Sequence, residues 1–136
     1  MKAHVTELQD LFQMTTHGVA ICTLVFDGSR LEDLVYDLVN PAFHHLTGLP
    51  DVTDKKLSEI LPNFKVENPE VFAAYERVAL TGTPESFESY IVALNCWLSI
   101  VAVRSQTGRL IVIFDNITAL KAAEKEMIVW HLWLRW

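Results

Sequence analysis

The sequence is poor in cysteine, in basic charge and in long apolar runs, and each shortage closes off a class of protein. Cysteine occurs only as Cys22 and Cys96, both inside strongly apolar segments. A disulfide scaffold wants more cysteines in a smaller chain, and a zinc site wants closely spaced Cys/His pairs. The two therefore read as buried free thiols in a reducing cytoplasm. Lys and Arg number 11 against 17 Asp and Glu, a net charge of −6, whereas a nucleic-acid footprint needs a clustered basic face. No apolar stretch reaches the roughly 20 residues that cross a bilayer. The N-terminus Met1-Lys2-Ala3-His4 runs into a polar helical pattern rather than a signal peptide. The expectation is a soluble, cytoplasmic chain with no transmembrane segment and no nucleic-acid partner.

Catalytic signatures are missing too. There is no G-x-S-x-G elbow, P-loop or H-E-x-x-H spacing. His44 and His45 stand beside Thr47, but adjacent helical residues point about 100° apart and do not converge. Small α+β folds with a helix-lined pocket include isomerases, yet that chemistry needs a buried carboxylate. The candidate acids Glu59, Glu67 and Glu76 sit among polar neighbours. A non-catalytic domain with no metal site is expected.

What is present suffices for one core. The 136 residues are 51% hydrophobic and 21% charged, which suits a single packed domain. Val5, Leu8 and Phe12 share a helical face, and Gly18 is placed to end that helix. Val19 to Phe26 reads as a buried strand, Asp27-Gly28-Ser29 as a hairpin-type turn, and Leu34 to Val39 as a second strand. Asn40-Pro41 supplies a cap and a first helical residue for a short helix that ends at Gly48. A further helix is expected over Asp51 to Leu61, capped by Thr53 or Asp54. Asn68-Pro69 repeats the cap-and-proline signal for a longer helix that carries Val71, Phe72, Tyr75, Val78 and Ala79 to Gly82. Ser86 to Leu94, Cys96 to Arg104 and Arg109 to Phe114 are successive strands, turned at Asn95 and at Gln106-Thr107-Gly108. The last two are apolar on both faces, so both faces should be covered: one by the helices, the other by the N-terminal helix or a second copy. After Asp115-Asn116, Leu120, Ala123, Met127, Trp130 and Leu134 recur at helical spacing.

This order carries recognisable motifs. The run Val39-Asn40-Pro41-Ala42-Phe43-His44-His45-Leu46-Thr47-Gly48 resembles the N-x-A-F-x-x-x-T-G segment that follows the second strand of PAS domains. In that segment Asn40, Phe43, Thr47 and Gly48 match. The three strands from Phe87 to Phe114 resemble the family's C-terminal strands, with Trp97 opening the middle one and Gly108 in the turn. Asn116-Ile117-Thr118 after Asp115 is similar to the family's Asp-Ile-Thr exit, with Asn in place of the signature Asp. The resemblance covers about Leu8 to Glu126.

It implies an α+β fold: a PAS-like five-stranded antiparallel sheet with helices on one face, an N-terminal cap helix and a C-terminal exit helix. The corresponding division is residues 1–17, a core at 18–116 and a signalling helix at 117–136. It implies a sensory module, a homodimer, set beside an output domain or partner kinase of a bacterial two-component system: a histidine kinase first, a cyclic-dinucleotide enzyme second. A ligand-free dimerisation module is the alternative. Phe43, Phe72, Tyr75, Leu98, Ile100 and Ala102 are the pocket candidates, and Arg104 the one anion partner. Asp115, Asn116, Ile117 and Thr118 form the junction that relays the signal. The flavin-binding branch of the family uses a cysteine on a mid-domain helix, and Asn95-Cys96 falls at a strand turn instead. The haem-binding branch draws a histidine from the helix that here spans about Pro69 to Leu80 and has none. The cofactor is left unknown, with a small apolar metabolite as the class that fits.

Overall fold

Arg30 to Val39 pairs back onto Gly18 to Asp27 because Gly28 adopts φ 62, the left-handed conformation a two-residue hairpin loop requires. The structure, a computed structural model, describes residues 2–135. In chain order the elements are α1 (Lys2–Met14), β1 (Gly18–Asp27), β2 (Arg30–Val39), α2 (Pro41–Thr47), α3 (Leu57–Ile60), α4 (Phe64–Glu67) and α5 (Pro69–Thr81). Then follow β3 (Glu85–Ile91), a 3-10 turn at Val92–Leu94, β4 (Cys96–Arg104), β5 (Leu110–Asn116) and α6 (Thr118–Leu134). The strands form one antiparallel sheet in the order β2-β1-β5-β4-β3. Alternation sets its inner face: Ala20 and Cys22, Leu98, Ile100 and Ala102, and Leu110, Val112 and Phe114 are all buried. Helices α2 to α5 pack against that face through Phe43, Leu57, Phe64, Val71, Phe72, Tyr75 and Val78.

Asn40 is where the expected cap becomes a hub. Its side-chain oxygen accepts from Phe43 N at 3.1 Å, capping α2, and from Val19 N at 2.9 Å. Its amide nitrogen donates to Phe12 O at 3.0 Å and His17 O at 2.9 Å. One fully buried amide thus joins α1, β1 and α2. Gly48 and Gly82 end α2 and α5 in the left-handed conformation, as expected.

Several local expectations give way to tertiary contacts. Gly18 does not stop the first helix, which ends at Met14; it opens β1. A Cβ there would lie 2.4 Å from the Phe114 ring, so close packing explains the glycine. The helix expected over Asp51 to Leu61 shrinks to α3. Residues 54–56 instead run along the free edge of β2, with Asp54 N donating to Tyr36 O at 2.7 Å and Tyr36 N to Lys55 O at 3.0 Å. The edge ladder takes the hydrogen bonds a helix would have used, and neither Thr53 nor Asp54 caps α3. Asp33 of β2 serves that end, accepting from Ser58 N at 3.2 Å and from the Ser58 hydroxyl. The Asn68 side chain makes no cap bond to the backbone of α5: its amide donates to Tyr90 O and to Glu70 Oε1, both at 2.7 Å, and its oxygen accepts from Val92 N at 3.1 Å, fastening α5 to the end of β3.

The outer sheet face is not covered by α1. Val5, Leu8 and Leu11 are exposed, and Val5, Leu8, Phe12 and Leu38 line an open apolar groove. Val19, Ile21 and Val101 on that face stay partly accessible, and Ile113 is exposed. Among the described residues no helix is long and apolar enough to cross a membrane.

Candidate functional site: a tyrosine-lined cavity wired to the exit helix

Between the sheet and helices α2 to α5 lies a cavity of about 60 Å³. Drug-sized ligands occupy roughly 300–1,000 Å³, so without movement this space takes water or a molecule of a few atoms. The wall is apolar except for the side chains of Tyr36, Tyr75, Cys22 and Thr47, and carries no charged residue.

The sequence-based candidates divide. Phe43, Tyr75, Leu98 and Ile100 line the cavity. Phe43 is the aromatic centre of the wall, meeting both Tyr36 and Phe114 edge-on at 5.6 Å between centroids. Phe72 is buried away from the cavity, with Lys65 Nζ 5.0 Å above its ring. Ala102 is fully buried in the sheet outside the wall. Arg104 lies at the far end of α5, donating from Nη1 to Ala79 O at 3.0 Å and packing its guanidinium under Gly82. A cation there satisfies the carbonyl end of a helix, and it faces no ligand space of the central cavity. His44 hydrogen-bonds through Nδ1 to Leu49 O at 3.2 Å, His45 is exposed, and neither lines the cavity.

Sequence reasoning missed Tyr36 and Cys22. Tyr36 alternates with Leu34 on β2, a period-2 signal that could have assigned it to the sheet's inner face but not to the wall of a cavity. Thr47 is satisfied locally, donating to Phe43 O at 2.7 Å and accepting from Leu49 N at 3.1 Å. Burial pushes the Cys22 thiol up to about 12, with the Asp37 charge adding to it. Both phenols are raised above their ordinary value, first by burial and then by the negative charge each would share with Cys22. All three groups are therefore neutral hydrogen-bonding groups at physiological pH.

The junction residues sit next to this wall. Leu98 lines the cavity, and its neighbour Trp97 binds the start of α6 twice. Ile117 N donates to Trp97 O at 2.9 Å, and Trp97 N donates to the Thr118 hydroxyl at 3.0 Å. That hydroxyl donates to Asn116 Oδ1 at 2.7 Å, which also accepts from Thr118 N at 3.0 Å. Asp115 accepts from Asn116 N at 3.0 Å. One turn into the helix, Lys121 Nζ meets Glu88 at 2.7 Å and sits 5.0 Å over the Trp97 ring.

No protein-family model matches the sequence, and no curated protein matches it. Solved structures do. A domain of a sensory box sensor histidine kinase/response regulator from Geobacter sulfurreducens is 21% identical, covering 82% of this chain and 92% of its own, with a TM-score of 0.53. An RNA-binding light-oxygen-voltage receptor is 16% identical over 96% of this chain and 40% of its own, with a TM-score of 0.58. The PAS domain of a protein from Colwellia psychrerythraea is 10% identical over 85% of this chain and 98% of its own, with a TM-score of 0.59. At these identities the shared property is architecture, and the sheet, its helices and the exit strand-to-helix junction together give this chain the fold of PAS domains.

Proposed function

We propose that this chain is a sensory signal-transduction module whose central cavity takes a small ligand and whose α6 passes on the cavity's state. The carrying observation is the adjacency on β4: Leu98 and Ile100 form cavity wall, while Trp97 holds Ile117 and Thr118 through the backbone. A ligand that shifts β4 has a direct route to α6, because the hydrogen-bonded pair moves as one element. The domain itself is read as non-catalytic, since its cavity offers no charged group to act as base or acid. Residues 1–17 are read as an N-terminal amphipathic helix, 18–116 as the sensing core and 117–136 as the signalling helix.

The output assignment rests on likeness: a domain of similar fold belongs to a sensor histidine kinase/response regulator. A sensor histidine kinase is accordingly the proposed host and a homodimer the proposed assembly, with the exposed apolar groups of α1 and the outer sheet face as its contact. Native mass spectrometry and an absorbance scan of freshly purified protein test occupancy. Amide exchange at Ile117, read on protein as purified and after partial unfolding and dialysis, tests the relay. A bound mass whose removal changes Ile117 exchange by tenfold or more is expected; a bound mass whose removal leaves Ile117 unchanged rejects the relay. Light scattering at micromolar concentration should give a dimer, and a clean monomer rejects that assembly.

A further inference from the structure

Tyr36 and Tyr75 present a puzzle that packing alone does not solve. Each is more than nine-tenths buried, and neither hydroxyl has a hydrogen-bond partner among the described residues. A buried tyrosine hydroxyl normally finds a partner, because leaving it unmade costs its desolvation. Both residues line the same cavity, and no unpaired polar side-chain atom among the described residues is sealed off from space. Each hydroxyl therefore reaches open space, and the cavity that both side chains line is the space we assign to it. A phenylalanine at either position would fill the same volume without that cost, so the hydroxyls have no packing reason to be there.

We propose that the two phenols are the recognition groups for a small neutral molecule bearing one oxygen acceptor between apolar groups, a short ketone or aldehyde being the best match. The proposal rests on the sensory reading of this cavity and names its ligand class. Three features select that class. The volume of about 60 Å³ leaves room for about two to four non-hydrogen atoms. The wall holds no cation or anion, so a charged ligand would be desolvated without a counter-charge. A carbonyl oxygen has two lone pairs and no hydrogen to place, and can accept one bond from each phenol. The rest of the ligand meets Leu34, Leu98, Ile100 and Phe114.

Acetone, acetate and 2-methylpropene share one size and planar shape and differ only in polarity, so they separate the alternatives. Each is titrated into the full chain while the methyl resonances of Leu34, Leu98 and Ile100 are followed. Acetone should give saturable shifts and acetate none. The 2-methylpropene should bind about five- to a hundredfold more weakly than acetone, the worth of two hydrogen bonds. In Tyr36→Phe and Tyr75→Phe that preference should shrink, and in the double variant it should vanish while 2-methylpropene still binds. Because these changes remove unpaired hydroxyls and keep the rings, the variants should fold with unchanged or raised thermal stability. Equal binding of acetone and 2-methylpropene to the wild type overturns the proposal, as does unaltered acetone binding in the double variant or saturable binding of acetate. If acetone binds at these methyls yet leaves Ile117 exchange untouched, the ligand class stands and the relay fails. If a large co-purified ligand is found and acetone gives no saturable shift, the sensory reading stands and this class is wrong.

Discussion

Asn40 shows how much one residue can be asked to do. Two donors and two acceptors of its amide are all used, in a fully buried position. Asn40→Ala would strand those backbone partners and should lower the unfolding free energy by about 3 kcal/mol. The measurement is urea denaturation, with a lower midpoint and an unchanged slope. Gly18 has a different reason to be conserved in any redesign. Its Cβ would press on the Phe114 ring, held in the core between Phe43 and the sheet. Gly18→Ala should therefore destabilise by about 1–3 kcal/mol despite the better strand propensity of alanine. In the same assay, a neutral result would show that Phe114 can swing aside. Asn40 was legible in the sequence as a cap, whereas Gly18 was read as a helix stop and instead opens β1; the cost of both comes from partners distant along the chain.

At the scale of elements, the meeting of β4 with α6 is where the proposed relay stands or falls. Asn116 stands where the resembling exit motif of PAS domains has aspartate, and its Oδ1 alone accepts the two bonds that Thr118 donates. A carboxylate can accept the same bonds and favours a helix N-terminus. Asn116→Asp should leave stability unchanged or raise it by about 0.5 kcal/mol, and a large loss would mean the junction depends on the amide. Thr118→Val removes the acceptor for Trp97 N and the donor to Asn116. It should cost about 1 kcal/mol globally but speed amide exchange of Trp97 far more, since the opening is local. If exchange there follows only the global loss, the hydroxyl is not what couples strand to helix. The ion pair of Lys121 with Glu88 is exposed at the glutamate and partly accessible at the lysine, so it is expected to orient α6 rather than to stabilise it appreciably.

For the whole molecule, the buried acids of the cavity govern the alkaline limb of stability. Cys22, ordinarily at 9.0, is pushed up to about 12 by burial. Tyr36 and Tyr75, ordinarily at 10.0, are raised for the same first reason. Above about pH 9 the unfolded chain loses these protons while the folded chain keeps them. The folded state then binds more protons, and stability falls as pH rises. Below pH 9 all three groups are neutral in both states and contribute no slope. Unfolding midpoints should decline between about pH 9 and pH 11, and the double change Tyr36→Phe and Tyr75→Phe should flatten the decline above pH 10. An equally steep fall in that variant would assign the alkaline limb to other groups.

What the sequence determined by itself is whatever short-range chemistry controls. The hairpin at Gly28, the start of α2 at Asn40-Pro41 and its end at Gly48, the end of α5 at Gly82 and the turn at Asn95 were all readable. Each depends on a backbone conformation or cap set within a few residues. The order of motifs along the chain was enough to anticipate the five-stranded sheet. Only the tertiary structure decided the rest, because it depends on groups far apart in sequence. The edge of β2 drew residues 54–56 into a strand-like path and shortened α3. The end of β3 drew the Asn68 side chain away from the helix it was expected to cap. The cavity itself follows the same rule: strand alternation can put Tyr36 and Leu98 on the inner face. Whether a buried side chain fills space or borders it depends on the volumes of every neighbour at once, which no local pattern encodes. For that reason the phenols of Tyr36 and Tyr75 emerged as the site's polar groups only once the fold brought them together.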